Sequence, residues 1–139
     1  MRAPVVAACV QVEPAIFDRA RTLDLVETRT AEAAAAGAGL VVFPETFVPA
    51  YPSSTWAKAL AGWGEPGAKE AFALLHRESL ELPSADADRL GAAAREHGVW
   101  LVIGVNEIDP ERPGTLYNSL LYYSPEGELA LHHRKLVPT

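Results

Sequence analysis

Glu45, Lys135 and Cys9 are the side chains whose types suit acid–base and nucleophilic chemistry, and their settings differ. Glu45 follows Phe43-Pro44 at the end of the apolar run 40–43. Proline cannot donate a ladder hydrogen bond, so regular pairing is expected to stop at Pro44 and leave Glu45 at a strand's carboxyl end. Ligands bind at that end of open α/β sheets, and Pro44, Pro49 and Pro52 narrow the conformations open to the loop that follows. The plain alternative is a solvated glutamate. Lys135 closes the run 128–135, in which alternation puts Leu129, Leu131, His133 and Lys135 on one face and Glu128, Ala130, His132 and Arg134 on the other. An ammonium brought toward an apolar face needs a partner, because burying it unpaired costs several kcal/mol. A carboxylate such as Glu45 would serve; otherwise the strand ends early and the lysine reaches water. Cys9 lies mid-way along the apolar run 5–12, where a thiol behaves as a small hydrophobe and is a poor nucleophile. His132 and His133 are neighbours on a strand, so they point to opposite faces and chelate poorly.

These residues need a scaffold, and the pattern supplies one. Runs 5–12, 40–43 and 99–105 read as buried strands. Between the first two, Asp18 is placed to cap a helix carrying Leu23, Val26 and Thr30 on one face, running into Ala33 and Ala34 and stopping at Gly37. Residues 53–67, with Trp56 and Trp63, read as irregular. A helix follows over 68–79, with Ala71, Phe72, Leu75 and Ser79 at helical spacing and Pro83 as its limit. Ser84 then caps another, with Asp86 and Asp88 at the positive end of its dipole and Gly98 closing it. The strand over 99–105 delivers Asn106 and Glu107 at its end. Runs 116–123 and 128–135 flank Ser124-Pro125-Glu126-Gly127, a type I turn signal, and so form a hairpin.

Composition narrows the function. With 139 residues the chain is one domain's worth of α/β protein. A net charge of −6 argues against nucleic acid or an anionic membrane as partner and favours a small neutral or cationic ligand. One cysteine excludes an internal disulfide and, with four scattered histidines, a zinc signature, so no metal is expected. No apolar run approaches the roughly 20 residues that span a bilayer, and no signal-peptide core follows Met1, so a cytoplasmic location is expected.

Two stretches, residues 43–52 (Phe-Pro-Glu-Thr-Phe-Val-Pro-Ala-Tyr-Pro) and 133–139 (His-Arg-Lys-Leu-Val-Pro-Thr), together with Gly-Thr-Leu-Tyr-Asn-Ser at 114–119, carry a resemblance. The chain resembles the nitrilase branch of the carbon–nitrogen hydrolase superfamily, from the first strand to Thr139. The resemblance implies an α-β-β-α sandwich and a Glu-Lys-Cys triad, with Glu45 as general base and Lys135 as catalytic lysine. Tyr51 resembles a substrate-pocket residue, the plain alternative being a tyrosine packed under the proline loop; Asn118 is placed to bond backbone near the site, the alternative being an ordinary strand or turn asparagine. The family's nucleophilic cysteine, and a further glutamate, follow the lysine motif. Residues 1–139 are therefore expected to be the amino-terminal part of a nitrilase domain, truncated after that motif and inactive alone. No cofactor is implied. The substrate would be a small organic nitrile, hydrolysed to a carboxylic acid and ammonia, and the full-length protein would form homo-oligomers. An amidase-type hydrolase and a non-catalytic fragment or binding module remain as alternatives.

Overall fold

The computed structural model describes residues 4–51, 62, 64–65 and 67–137. Among the described residues six strands and three helices follow one another: β1 Ala7–Cys9, α1 Arg19–Ala35, β2 Leu40–Val42, α2 Ala68–Glu78, β3 Leu80–Glu81, α3 Ala85–His97, β4 Trp100–Ile108, β5 Leu116–Tyr123 and β6 Leu129–Arg134. The irregular reading of 53–67 lies outside the described residues except at 62, 64–65 and 67.

The helix boundaries follow from local chemistry. Asp18 accepts a hydrogen bond from the backbone N of Arg21 and Ser84 from that of Ala87, each satisfying an amide that the first helical turn leaves without a partner. Gly98 ends α3 at φ 62°, a conformation that suits glycine at little steric cost. Helices α1 and α3 are tied together by Arg89, which reaches Asp24 at 2.7 Å and Glu27 at 2.8 Å.

The sheet order is β1-β2-β4-β5-β6, with β1, β2 and β4 parallel, β4-β5-β6 antiparallel, and the short β3 parallel to the end of β4. A strand order running one way sends right-handed crossovers to one face. Accordingly Leu23 and Val26 of α1, Leu90 and Ala94 of α3, and Leu101, Ile103, Val105, Leu121 and Tyr123 of the sheet form one buried core. On the opposite face Trp100 and Leu131 stay open, at 42% and 54% exposure. No helix among the described residues is long and apolar enough to cross a membrane.

Three expectations need correction. Run 5–12 is not a strand covered on both faces: Ala7–Cys9 form the edge strand, Ala8, Val10 and Val12 pack on the helix-side core, and Val5, Ala7 and Cys9, which alternate onto the other face, are exposed. Leu129 does not share a face with Lys135. A register shift between Tyr122 and Tyr123 pairs Leu131 with Tyr122 but Leu129 with Tyr123, which moves Leu129 to the helix side. The β6 strand also has no buried apolar face, since each of its residues is exposed.

Candidate active site

The loop that carries Glu45 is an excursion from a parallel ladder. Phe43 N donates to Val102 O and Gly104 N to Pro44 O, after which Val48 N donates to Gly104 O and Asn106 N to Val48 O. Pairing therefore resumes at Val48 rather than ending at Pro44, and residues 45–47 are thrown out between two bonds to the same residue, Gly104. Phe43 and Phe47 pack at 5.2 Å between ring centroids and anchor both ends of the excursion. Thr46 turns it at φ 45°, a left-handed conformation that costs a β-branched residue about 1–3 kcal/mol and so marks a shape imposed by its surroundings. Gly104 makes the close approach possible. A β-carbon there would stand 2.5 Å from Pro44 O and Thr46 N.

The excursion lifts Glu45 over the sheet face opposite the helices, where Asn118 and Lys135 meet it. Its Oε1 accepts from Asn118 Nδ2 at 2.6 Å and from Lys135 Nζ at 2.8 Å. Lys135 lies one residue beyond β6, and its backbone N donates to Asn118 O at 2.8 Å. Thus three polar groups from three separate elements converge on one point. The Lys135 ammonium, and then the Asn118 amide, hold the Glu45 carboxyl below the ordinary glutamate value, against a smaller opposing effect of burial. The pair is not dry: the side chains of Lys135 and Glu45 are 37% and 43% exposed. An ion pair that open stabilises a fold by about 0–1 kcal/mol, which is too little to account for the convergence. Around it lies a depression of about 270 Å³ lined by Glu45, Gly104, Asn118, Leu120, His133 and Lys135 among others. That is near the lower end of the volumes that hold small ligands.

Of the residues singled out in the sequence, Glu45, Lys135 and Asn118 are brought together. Asn118 does more than bond near the site, since it contacts the carboxylate itself. Tyr51 is half-exposed at the loop's far end and does not line the depression. Cys9 is exposed, so burial no longer argues against its reactivity, but it too does not line the depression. His132 and His133 do face opposite ways: His133 lines the depression and His132 turns to Glu107 on the helix side. Among the described residues no group of three or more His, Cys, Asp or Glu side chains is arranged to hold a metal ion.

Sequence reasoning missed Gly104, although a glycine inside a strand-forming run is itself a signal of close backbone approach. Glu107 was expected with Asn106 at the end of the strand over 99–105 and given no role; β4 instead continues to Ile108, and alternation with Val105 places the Glu107 carboxylate on the buried face.

Residues 6–138 match the carbon-nitrogen hydrolase family. The chain belongs to that family. Among its relatives, a bifunctional nitrilase/nitrile hydratase of Nicotiana tabacum is 40% identical over 134 residues, which are 96% of this chain and 37% of the relative. An aliphatic nitrilase of Rhodococcus rhodochrous is also 40% identical, over 95% of this chain and 34% of its own length. A mutant of the amidase from Nesterenkonia sp. AN1, solved in complex with butyramide, superposes with a TM-score of 0.67 at 24% identity, covering 97% of this chain and 44% of the amidase. That likeness is one of fold. This carbon–nitrogen hydrolase chain thus spans a little over a third of the tobacco nitrilase and under half of the amidase. Its helix-backed sheet corresponds to one half of the expected sandwich.

Proposed function

We propose that this chain supplies the general base and the catalytic lysine of a nitrilase that converts a small organic nitrile to a carboxylic acid and ammonia through a Glu-Lys-Cys triad. The observation that carries the reading is the convergence of Lys135 and Asn118 on one oxygen of Glu45, at 2.8 and 2.6 Å, beside a small depression. The nucleophilic cysteine would come from sequence outside these 139 residues, because Cys9, the chain's single cysteine, does not line that depression.

Each group has work that suits its type. A nitrile carbon is a weak electrophile, so the attacking sulfur must be a thiolate, and Glu45, ionised through its two donors, can take the thiol proton. Addition of sulfur to carbon breaks one C–N π bond and places negative charge on nitrogen, which the Lys135 ammonium stabilises and protonates. A first water adds to the resulting thioimidate and ammonia leaves. A second water cleaves the thioester, releasing the acid and returning the thiol. Asn118 holds the Glu45 carboxylate in place while its charge changes. The substrate would enter from the open sheet face, and in the whole protein the second half of the sandwich would cover that face and exclude bulk water.

The test is product analysis with the complete gene product, offering a nitrile and the matching amide. Acid and ammonia from the nitrile support the proposal; turnover of the amide alone would move the assignment to an amidase, and turnover of neither would leave a non-catalytic module.

A further inference from the structure

We propose that Glu107 is a positioning residue that locks the register of β6, so that Lys135 and Asn118 face Glu45. The inference rests on the reading of Glu45 and Lys135 as the catalytic pair. Glu107 is the buried counterpart of Glu45 on the other side of the sheet. Its side chain is 3% exposed, and it accepts from Ser119 Oγ at 2.5 Å, shares a hydrogen bond with His132 Nε2 at 2.7 Å, and accepts from Arg134 through both Nη2 at 2.6 Å and Nε at 3.2 Å. The Arg134 guanidinium lies 4.0 Å above the Tyr117 ring, and the Tyr117 hydroxyl donates to Asp109 at 2.7 Å.

The sequence positions of those partners give the clamp its meaning. Ser119 adjoins Asn118, and Arg134 adjoins Lys135; Ser119 and Arg134 are themselves a cross-strand pair. Both donors to Glu45 are therefore the immediate neighbours of donors to Glu107. Because successive side chains point to opposite faces, fixing Ser119 and Arg134 behind the sheet fixes Asn118 and Lys135 in front of it. On β4 the same logic links Glu107 to Asn106, whose Nδ2 donates to Ala50 O at the far end of the Glu45 loop at 3.2 Å.

Such a lock answers a weakness in β6. Register is strongly specified where one face of a strand is buried and weakly where it is not, and a one-residue slip turns every side chain to the other face. All six residues of β6 are exposed, and its pairing with β5 already shifts once, between Tyr122 and Tyr123. A slip of one would point Lys135 away from Glu45. A buried carboxylate held by three partners is a poor device for stability alone, since well-packed apolar groups often serve as well, but it specifies one arrangement.

The experiment uses the complete gene product with the variants Glu107→Gln, Arg134→Met, Lys135→Ala and, as a core truncation remote from the clamp, Leu90→Ala. It reads kcat and KM on a small aliphatic nitrile and its amide, the titration of Glu45 by carbon NMR, and the melting temperature. Expected for Glu107→Gln and Arg134→Met is a fall of about tenfold or more in kcat with KM held within about threefold. The Glu45 titration should also move up toward its ordinary value as the ammonium leaves. Leu90→Ala should lower the melting temperature and leave both readouts unchanged. In the Lys135→Ala background, adding Arg134→Met should cost no further activity, because it acts through the lysine. Arg134 is half-exposed, so its variant carries the test if Glu107→Gln does not fold. Folded Glu107 and Arg134 variants with wild-type kcat and Glu45 titration, beside an inactive Lys135→Ala, would overturn the lock and leave the catalytic pair standing. An active Lys135→Ala would overturn the catalytic pair, while the Glu45 titration would still decide whether the lock exists.

Discussion

Replacing Gly104 by alanine tests how the fold presents Glu45. The added β-carbon would stand 2.5 Å from Pro44 O and from Thr46 N, against about 3.4 Å for ordinary contact, so the loop must retreat by about 0.9 Å. All three nearest atoms are backbone, so no flexible side chain can absorb the movement. Retreat lengthens the bonds from Gly104 N to Pro44 O and from Val48 N to Gly104 O, which are already 3.2 and 3.3 Å. Losing both costs roughly 1–3 kcal/mol in all, and overpacking adds about 1–3 kcal/mol. The stiffer unfolded chain of alanine offsets only about 0.4–1 kcal/mol. A net loss of about 2–5 kcal/mol is expected by urea denaturation, and a displacement near 1 Å at the base corresponds to roughly 10²-fold in turnover. A variant within about 0.5 kcal/mol of wild type and with activity within about twofold would refute the close-approach argument.

Gly91→Ala should destabilise the protein even though alanine is favoured over glycine in a helix by about 1 kcal/mol, because its β-carbon would lie 2.5 Å from Gly127 O in the hairpin turn; thermal denaturation gives the sign directly. Acid should unfold the protein through Glu107. Burial pushes that carboxyl up, but hydrogen bonds from Arg134, Ser119 and His132 outweigh burial and leave it below the ordinary 4.5. A carboxyl lowered by folding contributes stability above its unfolded value and loses it as pH falls through the folded one, so urea midpoints should decline below about pH 4.5, and less steeply in Glu107→Gln. Cys9→Ala should leave the complete enzyme active; labelling of Cys9 by an electrophilic nitrile probe together with loss of activity would contradict this.

Much of the scaffold was legible in the sequence because its signals are local. Asp18, Ser84 and Gly98 act through their own neighbouring backbone, and the positions of α1 and α3 follow from them. The hairpin was equally plain, since Gly127 adopts φ 85° and its N donates to Ser124 O as the turn signal requires. Glu45 and Lys135 were legible as candidates from residue type, strand ends and family motifs. What stayed hidden depends on partners distant in sequence. The exposure of Cys9 and Val5 reflects which sheet face the helices occupy, and the displacement of Leu129 reflects a bulge that alternation does not encode. The seating of the Glu45 loop on Gly104 joins residues about sixty positions apart, and the Glu107 clamp joins three strands.

The most direct test of the account is ammonia release from a small nitrile by the complete gene product and by its Glu45→Gln and Lys135→Ala variants, with circular dichroism confirming that each is folded. Loss of the general base is expected to cost roughly 10²–10⁴-fold in turnover, and loss of the ammonium a comparable factor, because each acts on charge that develops in the transition state. Folded variants that retain ammonia release within about tenfold of wild type would contradict the assignment of base and lysine.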